Sequence, residues 1–293
     1  MDIGMNLPVM VPGWNRDTIL EWARRIDAGP YSSLAAGERI WFPNPEIMVA
    51  MSAAAAVTER VAINFSVVVL PMHSEIHIAK QIATLDVLSG GRVVLGVGVG
   101  GREEDYRAFD KPYDKKLLSR MEKQVDVMRR AWAGERVIEE ALRPLEPRPV
   151  QDGGPPLLAG SIFPKSVQRA ARWADGISGF SFGPDRDELS GCFEAARAAW
   201  KENGRSKPPR LVTSCWYAIS DDGRAQLDAY LARYLNFMGE EMAQALAPMV
   251  LTDSAAKLKD NLKMLEDIGA DEVLLVPTTS DPDEVDRVAD LIG

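Results

Sequence analysis

The sequence predicts a (β/α)₈ TIM barrel, a closed sheet of eight parallel strands alternating with helices, and three observations favour this fold class. Eight apolar segments of strand length alternate with amphipathic segments of helix length along the chain. The strand segments are nearly continuous apolar runs, which is typical of parallel strands covered on both faces. The length of 293 residues is slightly above the roughly 250 residues of a typical barrel. A doubly wound open sheet is the alternative.

The predicted strands are rich in β-branched residues, as in the segments Val67–Leu70 and Val93–Leu95. Such residues favour extended backbone because branching at Cβ restricts the side chain. We predict strands at Ile3–Leu7, Ser32–Ala36, Val61–Leu70, Arg92–Val97, Pro156–Ala159, Gly176–Phe180, Leu211–Ile219 and Val273–Val276.

Helices are predicted between these strands, and several have recognisable ends. Side chains that can accept a backbone N–H precede or begin four of them, namely Asp17, Asn44, Ser74 and Asp281. Glycines that suit helix ends follow three of them, namely Gly29, Gly134 and Gly269. The predicted helices are Arg16–Asp27, Pro45–Glu59, Ser74–Leu88, Lys115–Ala133, Pro164–Ala174, Asp185–Glu202, Asp222–Ala247, Ser254–Ile268 and Pro282–Leu291.

Two insertions interrupt the alternation, one after strand four and one after strand seven. Gly134–Pro155 is rich in proline, glycine and charge, and we expect a short hairpin there. Asp221–Ser254 holds more helix than one crossover needs. No linker or low-complexity tract divides the chain, so residues 1–293 are predicted to form a single domain.

Charge and composition argue against several classes of protein. The chain has 34 basic and 43 acidic side chains, a net charge of −9, and no long Lys/Arg run, so a nucleic-acid partner is not expected. The most strongly apolar stretch, Phe65–Met72, is far shorter than a membrane span, and no secretory signal is expected. Only Cys192 and Cys215 are present, which gives no disulfide framework and indicates a cytoplasmic protein.

A glycine-rich segment, Leu88–Gly101, resembles two nucleotide-binding motifs, a dinucleotide-binding turn and the signature of transporter ATPases, but lacks the context of both. The ATPase signature is not accompanied by a G-x-x-x-x-G-K-[ST] sequence anywhere in the chain. Gly96, Gly98 and Gly101 satisfy G-x-G-x-x-G after a strand, yet a dinucleotide-binding turn must open a helix at once. The polar segment Arg102–Asp110 that follows is predicted to be a helix-poor loop. Glycines at the carboxyl end of a barrel strand let the backbone approach a ligand closely. A tight packing turn without a ligand is the alternative.

Several segments together resemble the bacterial luciferase-like monooxygenase superfamily. They are Ile63–Pro71, Ala79–Gly100, Ala159–Ser161, Ala170–Gly176 and Asp267–Pro277, and they cover nearly the whole chain in the right order. The resemblance implies a (β/α)₈ barrel that binds reduced FMN or coenzyme F420 at the carboxyl ends of the strands. It also implies a small-molecule substrate and a homodimer.

The resemblance implies a cofactor-binding role for eight residues. Ser66 and Val67 match a bulge with a non-prolyl cis peptide behind the cofactor ring, and a serine there is similar to the branch that uses F420. Gly98, Val99, Gly100 and Gly101 match a loop that lines the cofactor. Gly160 and Ser161 match a loop that holds its phosphate, with an ordinary turn as the alternative.

Three residues are candidates for catalysis. The family commonly has an acidic residue followed by histidine after the second strand, and this chain has Glu38 followed by Arg39. Arg39 cannot donate a proton near neutral pH, but it can pair with an anionic substrate or a reduced cofactor ring. His73 lies at the carboxyl end of the third strand, which is the functional face of a barrel. We therefore expect Glu38, Arg39 and His73 near the reacting groups.

The predicted function is transfer of hydride to, or oxygenation of, a small organic substrate with F420 or FMN, with F420 favoured. The missing histidine and the short connection Arg39–Asn44 leave a non-catalytic cofactor-binding barrel as an alternative. A metal-dependent barrel hydrolase is a weaker alternative. His73 and His77 have the i, i+4 spacing of a two-histidine site, but no third ligand is apparent, so we predict no metal.

Overall fold

A computed structural model describes residues 1–293 of the chain and contains a closed barrel of eight parallel strands. Each strand pairs with its neighbours in sequence, and β8 pairs with β1 to close the sheet. The predicted barrel is confirmed and the open sheet is wrong. The strands are β1 (Asp2–Asn6), β2 (Ser33–Ala36), β3 (Ala62–Val69), β4 (Val93–Gly98), β5 (Leu157–Ala159), β6 (Gly176–Ser178), β7 (Arg210–Tyr217) and β8 (Glu272–Pro277).

Helices surround the barrel, and every predicted helical segment contains one. They are α1 (Arg16–Ala28), α2 (Ile47–Ala55), α3 (Glu75–Leu88), α4 (Glu103–Arg107), α5 (Leu117–Trp132), α6 (Pro164–Ala170), α7 (Arg186–Glu202), α8 (Gly223–Tyr234), α9 (Glu240–Leu246), α10 (Ala255–Asp267) and α11 (Asp283–Ile292). None of them combines the length and the apolar character that crossing a membrane requires.

Helix ends differ from the prediction where tertiary contacts decide them. Ser74 caps α3 as predicted, with its Oγ accepting the His77 N–H. The cap of α1 is Asn15, whose side chain accepts the Thr18 N–H at 3.0 Å, and Asp17 lies in the first turn instead. Neither Asn44 nor Asp281 is a cap residue, since Glu46 caps α2 and Pro282 precedes α11.

The two predicted insertions are present, with two corrections after β4. Residues 103–107 form the short helix α4 where we predicted a helix-poor loop, and Asp105 fixes this turn by accepting the N–H groups of Ile40 and Trp41 at 3.3 Å. No strand lies between β4 and β5, so the predicted hairpin is wrong. Pro144, Pro147 and Pro149 explain this, because proline has no N–H to donate to a ladder.

Alternation along the strands separates an outer core from the barrel interior. Leu34 and Ala36 pack in the outer core, whereas Ala35 between them belongs to a separate apolar layer with Leu158, Val212 and Leu274. Two residues further along the chain, the next inward positions are Gly37, Gly160, Ser214 and Val276, and the first three of these are small. Side chains of this apolar layer therefore fill the middle of the barrel. The interior is less filled towards the carboxyl ends of the strands, which is the end where barrel sites form.

Candidate functional site

A cavity of about 440 Å³, here called the large lobe, opens at the carboxyl ends of strands β3 to β7. Seven of the eight predicted cofactor residues line it: Ser66, Val67, Gly98, Val99, Gly100, Gly160 and Ser161. Gly101 does not line it, and a Cβ atom added there would meet nothing within 4 Å. The structure thus brings together in one cavity residues from three separate segments of the chain.

Strand β3 is irregular where it borders the large lobe. Its pairing with β4 shifts register between Phe65 and Val68. The peptide bond between Ser66 and Val67 is cis. The resemblance implied both features at this position, and both are present.

The glycines around the bulge make room for the Val67 side chain. A Cβ at Gly98 would lie 2.9 Å from Val67 Cγ2, and one at Gly160 would lie 3.0 Å from Val67 Cγ1. Gly100 has a positive φ of 61°, which any other residue adopts at a cost, and a Cβ there would lie 2.9 Å from Val69 Cγ1. Packing against β3 therefore accounts for much of the glycine-rich segment, besides any role in ligand binding.

A second cavity of about 70 Å³, here called the small lobe, adjoins the large one. The two lobes share Ser66, Phe180 and Ser214. Aromatic rings form one wall of the small lobe: Trp216 lies 4.5 Å from Phe180 and 5.1 Å from Tyr234 between ring centroids, and Tyr230 stacks on Tyr234. Its other lining residues are Asn6, Leu7, Val9, Met10, Gly37, Val276 and Pro277.

No acidic side chain, lysine, arginine or histidine lines either lobe. Small hydroxyl groups lie where the lobes meet. Ser66 Oγ and Ser178 Oγ are 3.4 Å apart, and Ser214 Oγ donates to the Gly179 carbonyl at 3.1 Å. Burial raises the pKa of the Tyr230 hydroxyl far above its ordinary value, so this group stays protonated.

Glu38 and His73 contact each other outside the two lobes. Glu38 Oε1 lies 2.8 Å from His73 Nε2, and Glu38 Oε2 accepts the Val69 N–H at 2.7 Å. The His73 ring packs edge-on against Phe109, with centroids 4.9 Å apart. The pair joins the end of β2 to the end of β3, beside the cavity rather than in its lining.

Arg39 is enclosed by aromatic rings and has no carboxylate partner. Its guanidinium carbon lies 4.1 Å from the ring centroid of Phe42, 5.0 Å from that of Tyr234 and 5.2 Å from that of Phe237. The one hydrogen bond of its side chain is from Nη1 to the Tyr234 carbonyl at 3.2 Å. Burial lowers the pKa of Arg39, and the nearby charge of Arg102 lowers it further. The rings separate this cation from both lobes.

Reasoning from the sequence did not identify several of the residues that line the two lobes. Ser178 and Ser214 occupy inward positions at the carboxyl ends of β6 and β7, and strand alternation is the signal that could have identified them. Trp216 is both buried and part of the small lobe. Tyr230 and Tyr234 come from the insertion after β7, where no local pattern indicates which side chains face the barrel.

The structure holds no cluster of three or more His, Cys, Asp or Glu side chains that could bind a metal ion. His73 follows a short 3₁₀ turn, whereas His77 lies within α3. The two histidines therefore do not share a helix face, although their i, i+4 spacing suggested that they could.

Solved structures with a similar fold include enzymes that carry either cofactor. An F420-dependent secondary alcohol dehydrogenase, in complex with an F420–acetone adduct, matches with a TM-score of 0.80 at 17% identity, over 100% of this chain and 98% of that one. The oxygenating constituent of 3,6-diketocamphane monooxygenase from Pseudomonas putida, in complex with FMN, matches with a TM-score of 0.73 at 18% identity, over 100% and 96%. At these identities the likeness establishes the fold.

Proteins related in sequence match different shares of this chain. An uncharacterized Mycobacterium tuberculosis protein is 30% identical over 195 residues, which are 64% of this chain and 65% of that protein. The chain therefore matches just under two thirds of that relative's length. The 4-hydroxyprotoasukamycin monooxygenase of Streptomyces nodosus subsp. asukaensis is 30% identical over 271 residues, 84% of this chain and 70% of that enzyme.

A family model covers almost the entire chain. The model described as luciferase-like monooxygenase matches residues 1–285. This range includes all eight strands and every residue that lines the two lobes. The chain belongs to the luciferase-like monooxygenase family.

Proposed function

We propose that the protein is an oxidoreductase that binds reduced coenzyme F420 or FMN in the large lobe and acts on a small organic substrate in the small lobe. One observation carries the proposal: seven residues assigned to the cofactor from sequence line a single cavity at the carboxyl end of the barrel. Structural relatives of the same fold that are named for F420 or that contain FMN support it. The cofactor would supply the redox chemistry, and the protein would supply position and exclusion of water.

The bulge of β3 and the β4 loop would hold the cofactor ring. Ser66 and Val67 line the large lobe next to Gly160 at the end of β5 and Ser178 at the end of β6. The backbone N–H groups of Val99 and Gly100 donate to no protein acceptor, so they are available to a ligand. Because no cation lines the cavity, binding would rest on such neutral donors and on apolar contact.

A cofactor phosphate would lie near Ser161. Ser161 Oγ accepts the Phe163 N–H at 3.2 Å, which leaves its own O–H free to donate to an anion. Ser166 lines the same part of the large lobe and offers a second hydroxyl. Hydroxyl and backbone donors of this kind are common partners of phosphate oxygens.

We favour F420 over FMN because Ser66 is similar to the residue of the F420-using branch. With F420 the reaction would be a reversible hydride transfer that leaves oxygen unused, and with FMN it would be oxygenation. Glu38, Arg39 and His73 remain our candidates for residues that support the reaction. Their placement beside the lobes favours a role in holding the bulge and the aromatic wall over direct contact with the substrate.

A barrel that binds the cofactor without turnover is the second candidate, and it is favoured by the absence of a titrating side chain other than tyrosine from the lining. The metal-dependent hydrolase has no observation in its favour. A homodimer and a cytoplasmic location remain predictions.

Turnover assays in the presence and in the absence of oxygen test the proposal. The protein is mixed with reduced F420 or reduced FMN and a panel of aldehydes and enones, or with oxidised F420 and alcohols, with and without oxygen. Hydride transfer predicts oxidation of the reduced cofactor by an aldehyde or enone, or reduction of the oxidised cofactor by an alcohol, in a reaction that requires the organic substrate and proceeds without oxygen. Oxygenation predicts substrate-dependent oxygen consumption and an oxygenated product. Cofactor binding with neither outcome across the panel would favour the non-catalytic barrel.

A further inference from the structure

A groove of about 420 Å³, here called the insertion groove, lies between α3 and the insertion that joins α5 to β5. Ile76 and Lys80 of α3 line it, together with residues 136–138, 141 and 143–146 of the insertion. None of these residues lines either lobe, so the groove is separate from the proposed cofactor site. Its volume is within the range of pockets that bind small molecules.

The insertion has no helix or strand of its own, but side chains of α3 hold it in place. Lys80 Nζ donates to the Glu146 carbonyl. Further along α3, the buried Asp86 accepts the N–H groups of Val150 and Gln151 at 2.8 and 3.1 Å. These contacts fix the two sides of the groove relative to each other, so a ligand would meet a preformed site. Long connections without secondary structure often carry binding functions.

Two arginines of the groove have no partner in the protein. Neither Arg136 nor Arg143 forms an ion pair or a hydrogen bond, whereas Arg130 of α5 pairs with two carboxylates. With Lys80, three cations line the groove against the single carboxylate of Glu146, which forms no ion pair. In a chain with a net charge of −9, this local excess of positive charge favours an anionic ligand.

Much of the remaining lining is apolar. Five hydrophobic side chains line the groove: Ile76, Val137, Ile138, Ala141 and Leu145. Guanidinium groups bind carboxylates through paired, charged hydrogen bonds, and apolar side chains bind the hydrocarbon part of such a molecule. A small inorganic anion would leave the apolar lining in water, and a neutral hydrocarbon would leave both arginines without a partner.

We propose that the insertion groove binds an organic carboxylate with an apolar body. Arg136 and Arg143 would bind the carboxylate, and the hydrophobic side chains of the groove would contact the body. The site lies outside the two lobes, so its ligand is neither the cofactor nor the substrate of the proposed function.

Three probes separate the two features of this ligand: octanoate, 1-octanol and acetate. Equilibrium dialysis of the labelled compounds measures their binding to the cofactor-free protein. Because the lobes can also take up apolar compounds, the groove's share is the part that Ile138→Glu removes, a substitution that adds a carboxylate at a position that is 45% exposed. We expect this share to be saturable for octanoate and weaker for octanol and acetate. Equal affinity of the groove for octanoate and either of the others would overturn the inference.

Substitution of the arginines tests their role. Arg136→Gln and Arg143→Gln should each weaken octanoate about fivefold, the effect of one lost ion pair at an exposed site, and leave octanol unchanged. Arg148→Gln is the matched control, because it removes the same charge from an exposed position of the same insertion outside the groove. It should change neither. Unchanged octanoate binding in both groove variants, or an equal loss in the control, would contradict the proposal.

A second copy of this chain is the competing occupant of the groove, and gel filtration distinguishes it. An oligomer that Ile138→Glu dissociates, together with no octanoate binding to the unsubstituted protein, would assign the groove to an interface and overturn the inference. The test is separate from that of the proposed function, because neither F420 nor FMN takes part in it.

Discussion

Glu38 and His73 come from the ends of different strands, and Glu38 Oε1 lies 2.8 Å from His73 Nε2. The other carboxylate oxygen accepts the Val69 N–H at 2.7 Å, and the Glu38 N–H donates to the Val67 carbonyl at 3.3 Å. Glu38 is therefore hydrogen-bonded to β3 both within its bulge, at Val67, and directly after it, at Val69. We therefore propose that Glu38 positions the part of β3 that lines the large lobe.

Removing this carboxylate should lower both stability and cofactor affinity. In Glu38→Ala the Val69 N–H loses a buried charged acceptor and His73 loses its partner, so we expect the free energy of unfolding to fall by about 2–3 kcal/mol. Urea unfolding measures this. The matched control is Glu103→Ala, whose ion pair with Arg107 is exposed, and which should cost no more than about 0.5 kcal/mol. Equal effects of the two variants would argue against the positioning role.

The glycines near the bulge should differ sharply in tolerance. Gly98→Ala brings a methyl group within 2.9 Å of Val67 Cγ2, so we expect a loss of about 1–3 kcal/mol of stability together with weaker cofactor binding. Gly101→Ala meets nothing within 4 Å and should leave the melting temperature unchanged. The double variant with Val67→Ala should recover part of the loss, because it removes the clash. Additive losses in the double variant would show that Val67 is not the cause.

Arg39 should tolerate methionine better than lysine at neutral pH. Methionine keeps apolar contact with Phe42 and Tyr234 and loses a cation–π interaction of about 1–2 kcal/mol. Lysine buries a compact, strongly hydrated charge without an acid partner. Burial already lowers the pKa of Arg39, and it should lower that of a lysine there as well.

The same variant gives a pH dependence with a definite sign. Between the lowered pKa of the folded state and the ordinary lysine pKa, the unfolded state binds more protons, so the stability of Arg39→Lys should rise with pH. The gap between Arg39→Lys and Arg39→Met should therefore narrow as unfolding is measured from pH 7 to pH 10. A difference in stability between the two variants that does not change with pH would mean that the lysine ammonium group reaches solvent.

Asp27 should contribute stability that disappears in acid. Its carboxylate accepts the N–H groups of Glu59, Arg60 and Val61, each at 2.9 Å. Partial burial acts to raise its pKa, but these three hydrogen bonds lower it below the ordinary value of 3.8. A lowered pKa stabilises the folded state above the unfolded-state value, and this stability is lost as pH falls through the folded-state pKa.

Asp27→Asn should therefore cost about 1 kcal/mol at pH 7, after allowance for the solvent exposure of this group. The difference from the unsubstituted protein should shrink below about pH 4 and vanish near pH 2. Thermal unfolding across this pH range checks it. A constant difference from pH 7 to pH 2.5 would assign the effect to packing.

The strands and much of the lining of the large lobe could be predicted, because they depend on local pattern and on contiguous segments of the resemblance. Leu34, Ala35 and Ala36 form a continuous apolar run of the kind that predicted the parallel strands, and the Ser66–Val67 pair lies within a matched segment. Asp105 fixed a helical turn through contacts with residues more than 60 positions away, which no local pattern reveals.

The aromatic wall and the surroundings of Arg39 could not be predicted for the same reason. Arg39 and Tyr234 are 195 positions apart, and the contact depends on how the insertion after β7 folds over the end of β2. Arg39 was expected near an anion because its charge was the only property visible in the sequence. Its enclosure by rings follows from tertiary packing alone.

An equilibrium titration with F420 and with FMN, each in oxidised and reduced form, tests the central claim most directly. The account predicts saturable binding of at least one of them with a dissociation constant below about 1 mM, which corresponds to about −4 kcal/mol. It also predicts weaker binding in Gly98→Ala than in the unsubstituted protein. Failure of both cofactors to bind in either redox form would contradict the assignment of the large lobe as a cofactor site.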